Sequence, residues 1–379
     1  MARSIWRDQE ARTWLTLWWL LQSQVAPIAE HSAASQFHAF NLLGGNETAR
    51  QYQSSWYRTP IVAPGNMLLC ITACCRHDGF GAAFMSHIAV FVYSRLAGID
   101  FCSTPWGNLQ HGVDGRTMFN FIGGAFYGPH VSPFKPNQRG ITVLQANRIM
   151  QYPYSARRDL PFVASVRYLV RRHYFSSTDE RPRLRFFDSA NRNVAIHVRR
   201  GDIMDTQLFG KKYDFRRIPD ESYVSCVSAI LSNATENAGS RQGSPAKPFA
   251  FHLFSDGQKH DLSTLAKIIT DLNPTGPPTE LHEKLKGANI KAATDDLKVT
   301  FHHLVSADVL LMSRSSLSQA AAFVRSYNPV STAGTYAGNH SGLTLVPSAF
   351  AYRPWNPREA HSGGALWGDI EGFLSVIEC

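Results

Sequence analysis

Asn193 to Asp202 reads NVAIHVRRGD, and this stretch decides the fold. Val194, Ala195, Ile196 and Val198 form the short apolar run expected of a strand buried in a parallel sheet. The run stops abruptly at a polar end made of His197, Arg199, Arg200, Gly201 and Asp202. In open α/β sheets, ligands bind at the carboxyl ends of the strands. Guanidinium forks match phosphate oxygens two at a time, so adjacent arginines at such an edge predict a diphosphate clamp. The plainer reading is a solvated Arg-Arg-Gly-Asp turn with surface ion pairs.

Three further segments carry the same alternation of strand, polar turn and helix. Upstream, the apolar run Met67 to Ala73 predicts a strand, and Phe84 to Ala97 has the apolar spacing of a helix. Between them stands His77-Asp78-Gly79-Phe80-Gly81, a Gly-x-Gly turn of the kind that presents backbone N–H groups and a helix dipole to an anion. Downstream, Phe301 to Ser306 reads as helix, Val309 to Met312 as a buried strand, and Leu317 to Val324 as another helix. The turn Ser313-Arg314-Ser315-Ser316 lies between the last two. Ser315 and Ser316 either cap that helix or bind phosphate oxygens, and Arg314 adds a third cation. In the middle, PFAFHLFSD from Pro248 to Asp256 predicts a strand ending in Ser255-Asp256-Gly257.

The hexapeptide His197-Val198-Arg199-Arg200-Gly201-Asp202 resembles the His-x-Arg-x-Gly-Asp nucleotide-sugar motif of the fucosyltransferase superfamily, which comprises the α1,2-, α1,6- and protein-O-fucosyltransferases. The glycine turn at Gly79 and Gly81 is similar to the loop that opens that superfamily's N-terminal domain. The helix, Ala307-Asp308 pair, strand and serine-rich turn resemble its late motif. The resemblance implies that Arg199 contacts the diphosphate of GDP-fucose, that His197 lies on the guanine side, and that Arg200 and Asp202 support them. For Asp256 it implies acceptance from a ribose hydroxyl or guanine edge, the equal alternative being a cap on the next helix. It also implies a GT-B-like α/β fold of two facing Rossmann-like domains and an inverting transfer of fucose to a glycan or glycoprotein hydroxyl. The arginines would then stand in for a divalent metal, so neither cofactor nor metal is expected, and no convincing Asp-x-Asp site appears.

Two departures from the α1,6-type pattern matter. The loop Ile203 to Asp214 contains no glutamate, and an ungapped match places Gln207 where the general base would fall. Asp205 is the first candidate base for its nearness to that position, with Asp214 and Asp78 behind it. Thr300 stands where those enzymes carry an aspartate at the base of GDP. The departures keep two alternatives open: a GT-B transferase using another nucleotide sugar, or a non-catalytic nucleotide- or glycan-binding protein.

At 379 residues, with 44% hydrophobic and 18% charged residues, the chain is long enough for two folded domains and too apolar for disorder. The expected layout is an extension over residues 1–60, an N-terminal Rossmann-like, acceptor-side domain over 61–188, and a nucleotide-sugar-binding Rossmann-like domain over 189–379. Ser232 to Pro248 and Asn273 to Pro278 read as loops. The net charge of +9 favours anionic partners. The basic stretch Arg167 to Arg185 reads as a solvated helix and loop, so nucleic acid is not expected, and the resemblance implies a nucleotide-sugar partner.

The six cysteines form no C-x-x-C or zinc pattern. A bond such as Cys70–Cys102 is compatible with the sequence but not deducible from it. Trp14 to Leu21, behind Arg3, Arg7 and Arg12, is too short to span a membrane. It reads either as a signal-like segment, giving weak membrane association and a secretory or Golgi location, or as an amphipathic helix on the body of a cytoplasmic protein. Sequons at Asn46, Asn233 and Asn339 are usable only in a secretory lumen.

Overall fold

The computed structural model describes residues 62–63, 67–72, 79–97, 100–101, 105–124, 141–145, 166–167, 169–176, 181–201, 217–238, 247–257, 259–283, 289–325, 343–347 and 377–379. The expected N-terminal extension, Asp78, Cys102, Asp202, Asp205, Gln207 and Asp214 lie outside these residues.

Two sheets carry the described chain, and both follow the α/β plan. In the N-terminal half, β1 (Val62–Ala63) runs antiparallel to β2 (Met67–Thr72). The strands β3 (Asp100–Phe101) and β4 (Ile141–Gln145) both pair with β2 in parallel. Helix α1 (Phe80–Ala97) connects β2 to β3, and a short α2 (Gly115–Phe121) follows, capped by Asp114.

The second sheet is larger and wholly parallel. It contains β5 (Arg192–Val198), β6 (Phe249–Ser255), β7 (Glu280–Glu283), β8 (Val309–Leu311), β9 (Leu343–Val346) and β10 (Ile377–Glu378). Their spatial order is β7-β6-β5-β8-β9-β10. Counted from β5, this is the 3-2-1-4-5-6 order of a Rossmann-like sheet, in which the chain reverses direction across the sheet between the first and fourth strands. Here that reversal lies between β5 and β8. Helices α3 (Asp220–Ala238) and α4 (Lys259–Leu272) make the crossovers on one side of it, and α5 (Ile290–Ser306) and α6 (Ser316–Val324) make those on the other.

The hydrophobic run of the motif behaves as its composition requires: Val194, Ala195, Ile196 and Val198 are fully buried. Asp308 fixes the start of the neighbouring strand, its Oδ2 accepting from Asn193 N at 2.8 Å while its own N–H donates to Asn193 O at 2.9 Å. The two halves share one apolar core. Phe80 of α1 meets Phe301 of α5 edge to face at 5.0 Å, and Phe84 meets Phe323 of α6 at 6.4 Å. Aromatic contacts of this kind contribute about 0.5–1.5 kcal/mol beyond area burial.

Several boundaries differ from the expected ones. Helix α1 begins at Phe80 rather than Phe84, so Gly81 belongs to its first turn. Helix α5 begins eleven residues earlier than expected, at Ile290, where Asn289 caps it by accepting from Ala292 N. Helix α3 continues through Ser232 to Ala238, residues expected as loop. The basic stretch is not simply solvated either. The Arg181 guanidinium lies 3.7 Å from the Tyr174 ring centroid, and that of Arg167 5.5 Å from Phe323. These are cation–π placements that use arginine as packing material.

Two features were not foreseeable from motifs. Arg325, only 2% exposed, donates to Leu304 O at 2.8 Å and Val305 O at 3.2 Å, the last carbonyls of α5, and to Leu343 O at 3.2 Å. It thus satisfies groups that a helix end leaves orphaned. Burial pulls its pKa down to about 9, which still leaves it charged at neutral pH. The other feature is a disulfide between Cys226 of α3 and Cys379, which are 153 residues apart. Among the described residues, no helix is long and apolar enough to cross a membrane.

Closing so long a loop restricts the unfolded chain, an effect worth about 2–5 kcal/mol. Cys226→Ser should therefore lower the unfolding free energy by about that amount in urea denaturation. Dithiothreitol should destabilise the parent at this bond but have no such effect in the variant.

Candidate functional site

The carboxyl ends of β5 and β8 flank the reversal point of the larger sheet, and both ends are polar. From β5 come Arg199, Arg200 and Gly201; from β8 come Ser313, Arg314 and Ser315. A crevice at this point is where a parallel sheet presents its ligand site.

His197 is the last buried polar residue of β5, 4% exposed. Its Nδ1 meets the Ser318 hydroxyl, and Ser313 Oγ lies 2.8 Å away. The two serines are themselves 3.1 Å apart. This cluster bolts β5 to the turn after β8 and to the first turn of α6. Burial lowers the His197 pKa to about 4, Asp256 opposing and Arg199 reinforcing that shift, so the ring is neutral at pH 7.

Arg199 and Arg200 part company, as successive residues of an extended chain do. Arg199 turns toward α6, where its Nη1 donates to Ser315 Oγ at 3.3 Å. Arg200 turns the other way and is only 3% exposed. Its guanidinium pairs with Asp220 at the start of α3 and donates to Ile218 O at 2.9 Å. Arg199 is thus the motif's cation on the α6 side, and Arg200 ties the loop to α3.

Asp256 joins the loops after β5 and β6. Its Oδ1 accepts from both Arg200 N and Gly201 N at 2.9 Å. Burial alone would raise its pKa; the Arg199 guanidinium and the two backbone donors outweigh that and hold the carboxyl below its usual range. The glycines on either side follow from this closeness. A Cβ on Gly201 would lie 2.7 Å from Asp256 Cγ, and one on Gly257 would lie 2.6 Å from Arg200 Cβ.

Ser315 is the N-cap of α6, accepting from Leu317 N at 3.2 Å while it also receives Arg199. The structure shows the capping role, and the same hydroxyl oxygen accepts the Arg199 bond as well. Ser316 opens the helix, and its backbone meets α1 directly. A Cβ on Gly81 would come within 2.3 Å of Ser316 C and Leu317 N. Gly79 instead accepts from Ala82 N and Ala83 N, both at 3.1 Å, at the start of α1. The N-termini of α1 and α6 therefore meet beside Arg199 and Arg314, which concentrates positive potential at one end of the sheet.

The structure thus gathers His197, Arg199, Arg314, Ser315, Ser316, Gly81 and Asp256 at one place, with Arg200 behind them. Asp202 and the candidate base Asp205 fall outside the described residues. Sequence reading missed Ser313 and Ser318 as partners of His197, although their spacing in the serine-rich turn was visible. The described residues that converge as metal ligands, His252, Glu280 and His282, lie elsewhere, upstream in β6 and on β7.

No protein-family model and no curated protein matches the chain. Among solved structures it is similar to the fucosyltransferase NodZ from Bradyrhizobium, at 12% identity over 68% of this chain and 93% of that one, with a TM-score of 0.33. It is also similar to NodZ α-1,6-fucosyltransferase co-crystallised with GDP, at 13% identity over 68% and 92% of the two chains, with a TM-score of 0.32. Likenesses this distant assign no activity, and the site rests on its own geometry.

The two glycines at the start of α1, Gly79 before it and Gly81 in its first turn, should separate by experiment. Gly81→Ala forces backbone against backbone and should cost about 1–3 kcal/mol in urea denaturation, the usual scale of overpacking. Gly79→Ala, with its nearest atom 3.9 Å away at His111, should leave stability within about 0.5 kcal/mol of the parent.

Proposed function

We propose that the chain is an inverting glycosyltransferase that moves fucose from GDP-fucose to a hydroxyl of a glycan or glycoprotein. The single observation that carries this reading is the pairing of Arg199 with the Ser315 cap of α6 across the strand-order reversal. Guanidinium, helix N-terminus and serine hydroxyl are the chemistry that binds a diphosphate. In glycosyl transfer the departing diphosphate gains negative charge as the sugar becomes oxocarbenium-like. Fixed donors aimed at that charge lower the barrier without reorganising. The His-x-Arg-x-Gly-Asp resemblance adds the sugar and the base of the nucleotide to this reading.

Within it, Arg199 meets the diphosphate, Arg314 and the first turn of α6 add positive potential, and His197 with Asp256 holds the loop in place. The base is assigned to the loop after Gly201, to Asp205 first and Asp214 second. The Cys226–Cys379 bond supports a secretory location, because such bonds persist in oxidising compartments. A second reading, a transferase for a different nucleotide sugar, draws on Thr300 and on the missing glutamate.

Isothermal titration with GDP, followed by a donor-hydrolysis screen over GDP- and UDP-sugars, tests the assignment and separates the two readings. GDP should bind the parent, and Arg199→Ala should abolish measurable affinity. Two charge-assisted hydrogen bonds would go, at about 1.5–3 kcal/mol each. A folded variant that binds GDP as the parent does would remove the clamp from consideration.

Transfer should also continue in excess EDTA, since the proposed charge stabilisation comes from side chains and backbone. Complete loss of turnover, restored by manganese, would point to a metal-dependent class instead.

A further inference from the structure

Strands β6 and β7 pair in parallel, with His252 opposite Glu280 and Phe254 opposite His282. Paired residues share a sheet face, as do residues two apart along a strand. All four side chains therefore lie on one face. The register delivers three ligating atoms to one point: His252 Nδ1 is 3.3 Å from His282 Nε2, Glu280 Oε2 is 3.5 Å from His252 Nδ1, and Glu280 Oε2 is 3.6 Å from His282 Nε2. They form a nearly equilateral triangle.

We propose that His252, Glu280 and His282 form a binding site for a zinc-class divalent cation, separate from the nucleotide crevice.

The size of the triangle supports the assignment. Zinc bonds of ~2.0–2.1 Å in a tetrahedron set ligand–ligand edges of ~3.3–3.4 Å. An octahedral face with bonds of ~2.1 Å, as magnesium demands, has shorter edges of ~3.0 Å. Two imidazoles and one carboxylate also suit zinc and its neighbours better than the hard oxygen-seeking ions. The fourth position would belong to water.

The surroundings hold these ligands ready. The His282 ring stacks on Phe186 at 3.9 Å and on Phe254 at 4.7 Å, which fixes its plane. His252 contacts Phe187 at 4.9 Å, and its other nitrogen, Nε2, is buried without a hydrogen-bond partner, so the ring's polar contacts are made through Nδ1. His303, the third imidazole of this cluster, is already used: Nδ1 lies 2.7 Å from Val299 O, and Nε2 accepts from Phe186 N at 3.3 Å. Burial favours the neutral, ligating form of His252 and His282. Glu280 is 56% exposed, which leaves an entry path from solvent.

The position also separates this site from the clamp. His252 lies three residues before the end of β6, about 10 Å along the strand from the loop that bears Asp256. An ion here would bridge β6 to the edge strand β7.

The test uses the tag-free full chain, stripped with chelator and titrated with zinc chloride by calorimetry. Cobalt(II) serves as an optical probe. The expected result is one zinc per chain at this site and the intense visible bands of a tetrahedral cobalt centre. Glu280→Ala should weaken zinc binding at least about 10-fold and remove those bands. Because Glu280 is exposed, that variant should keep the parent's circular dichroism and its metal-free melting temperature. Zinc should raise the melting temperature of the parent but not of Glu280→Ala. GDP affinity should be the same in both proteins, with or without zinc. A parent that binds no zinc, or zinc affinity unchanged in both Glu280→Ala and His282→Ala, overturns the proposal.

Discussion

One carboxylate holds the carboxyl edge of the larger sheet together. Asp256 receives the backbone N–H groups of Arg200 and Gly201 in a single bifurcated grip, and this fixes where the chain goes after β5. The grip is tight enough that a side chain is excluded at Gly201 and at Gly257. It also decides the fate of the two arginines: with the backbone held, the alternation of an extended chain sends one guanidinium to α6 and the other to α3. Stabilisation of Asp256 by Arg199 makes the arrangement mutual, since the cation that meets the α6 cap also favours the ionised carboxylate. The charge and the backbone path of this corner are therefore hard to vary separately.

Much of the larger sheet was legible in the sequence because its strands are apolar runs with polar ends. The runs at Val194, Phe249 and Val309 all became buried strands, and the polar residues after Val198 and Leu311 became neighbours because of strand order. Helix starts were harder. Gly81 looked like a turn residue, yet it sits inside α1, where its missing side chain allows α6 to approach. The first turns of α5 carry Lys291, Thr294, Asp295 and Asp296, which show little apolar stripe, and Asn289 is the clearest local start signal. Pairwise partnerships were not legible at all. Arg200 with Asp220, Arg325 with the carbonyls of α5, and Cys226 with Cys379 join positions that no spacing rule connects. The His252, Glu280 and His282 triangle is of the same kind: it exists through register between two strands and has no signature along the chain.

Guanidiniums at Arg167, Arg171, Arg181, Arg185 and Arg192 lie over aromatic rings. The flat faces of these groups are weakly hydrated and pack like hydrocarbon, while their edges keep donors for carbonyls. Arg181 shows both uses, covering Tyr174 while its Nε donates to Tyr174 O at 2.7 Å. A basic sequence can thus spend much of its charge on internal packing and still keep a local positive field where two helix N-termini meet.

Arg325 bears on how this protein responds to temperature. It is a buried cation whose desolvation is offset by carbonyls from the end of α5 and the start of β9. The hydration that a charged group gives up is worth less as water warms, so the penalty for burying it shrinks on heating. Apolar stabilisation per unit area, by contrast, levels off as temperature rises. The junction of α5, β8 and β9 therefore rests on an interaction that gains relative to its surroundings in heat and is least favourable in the cold.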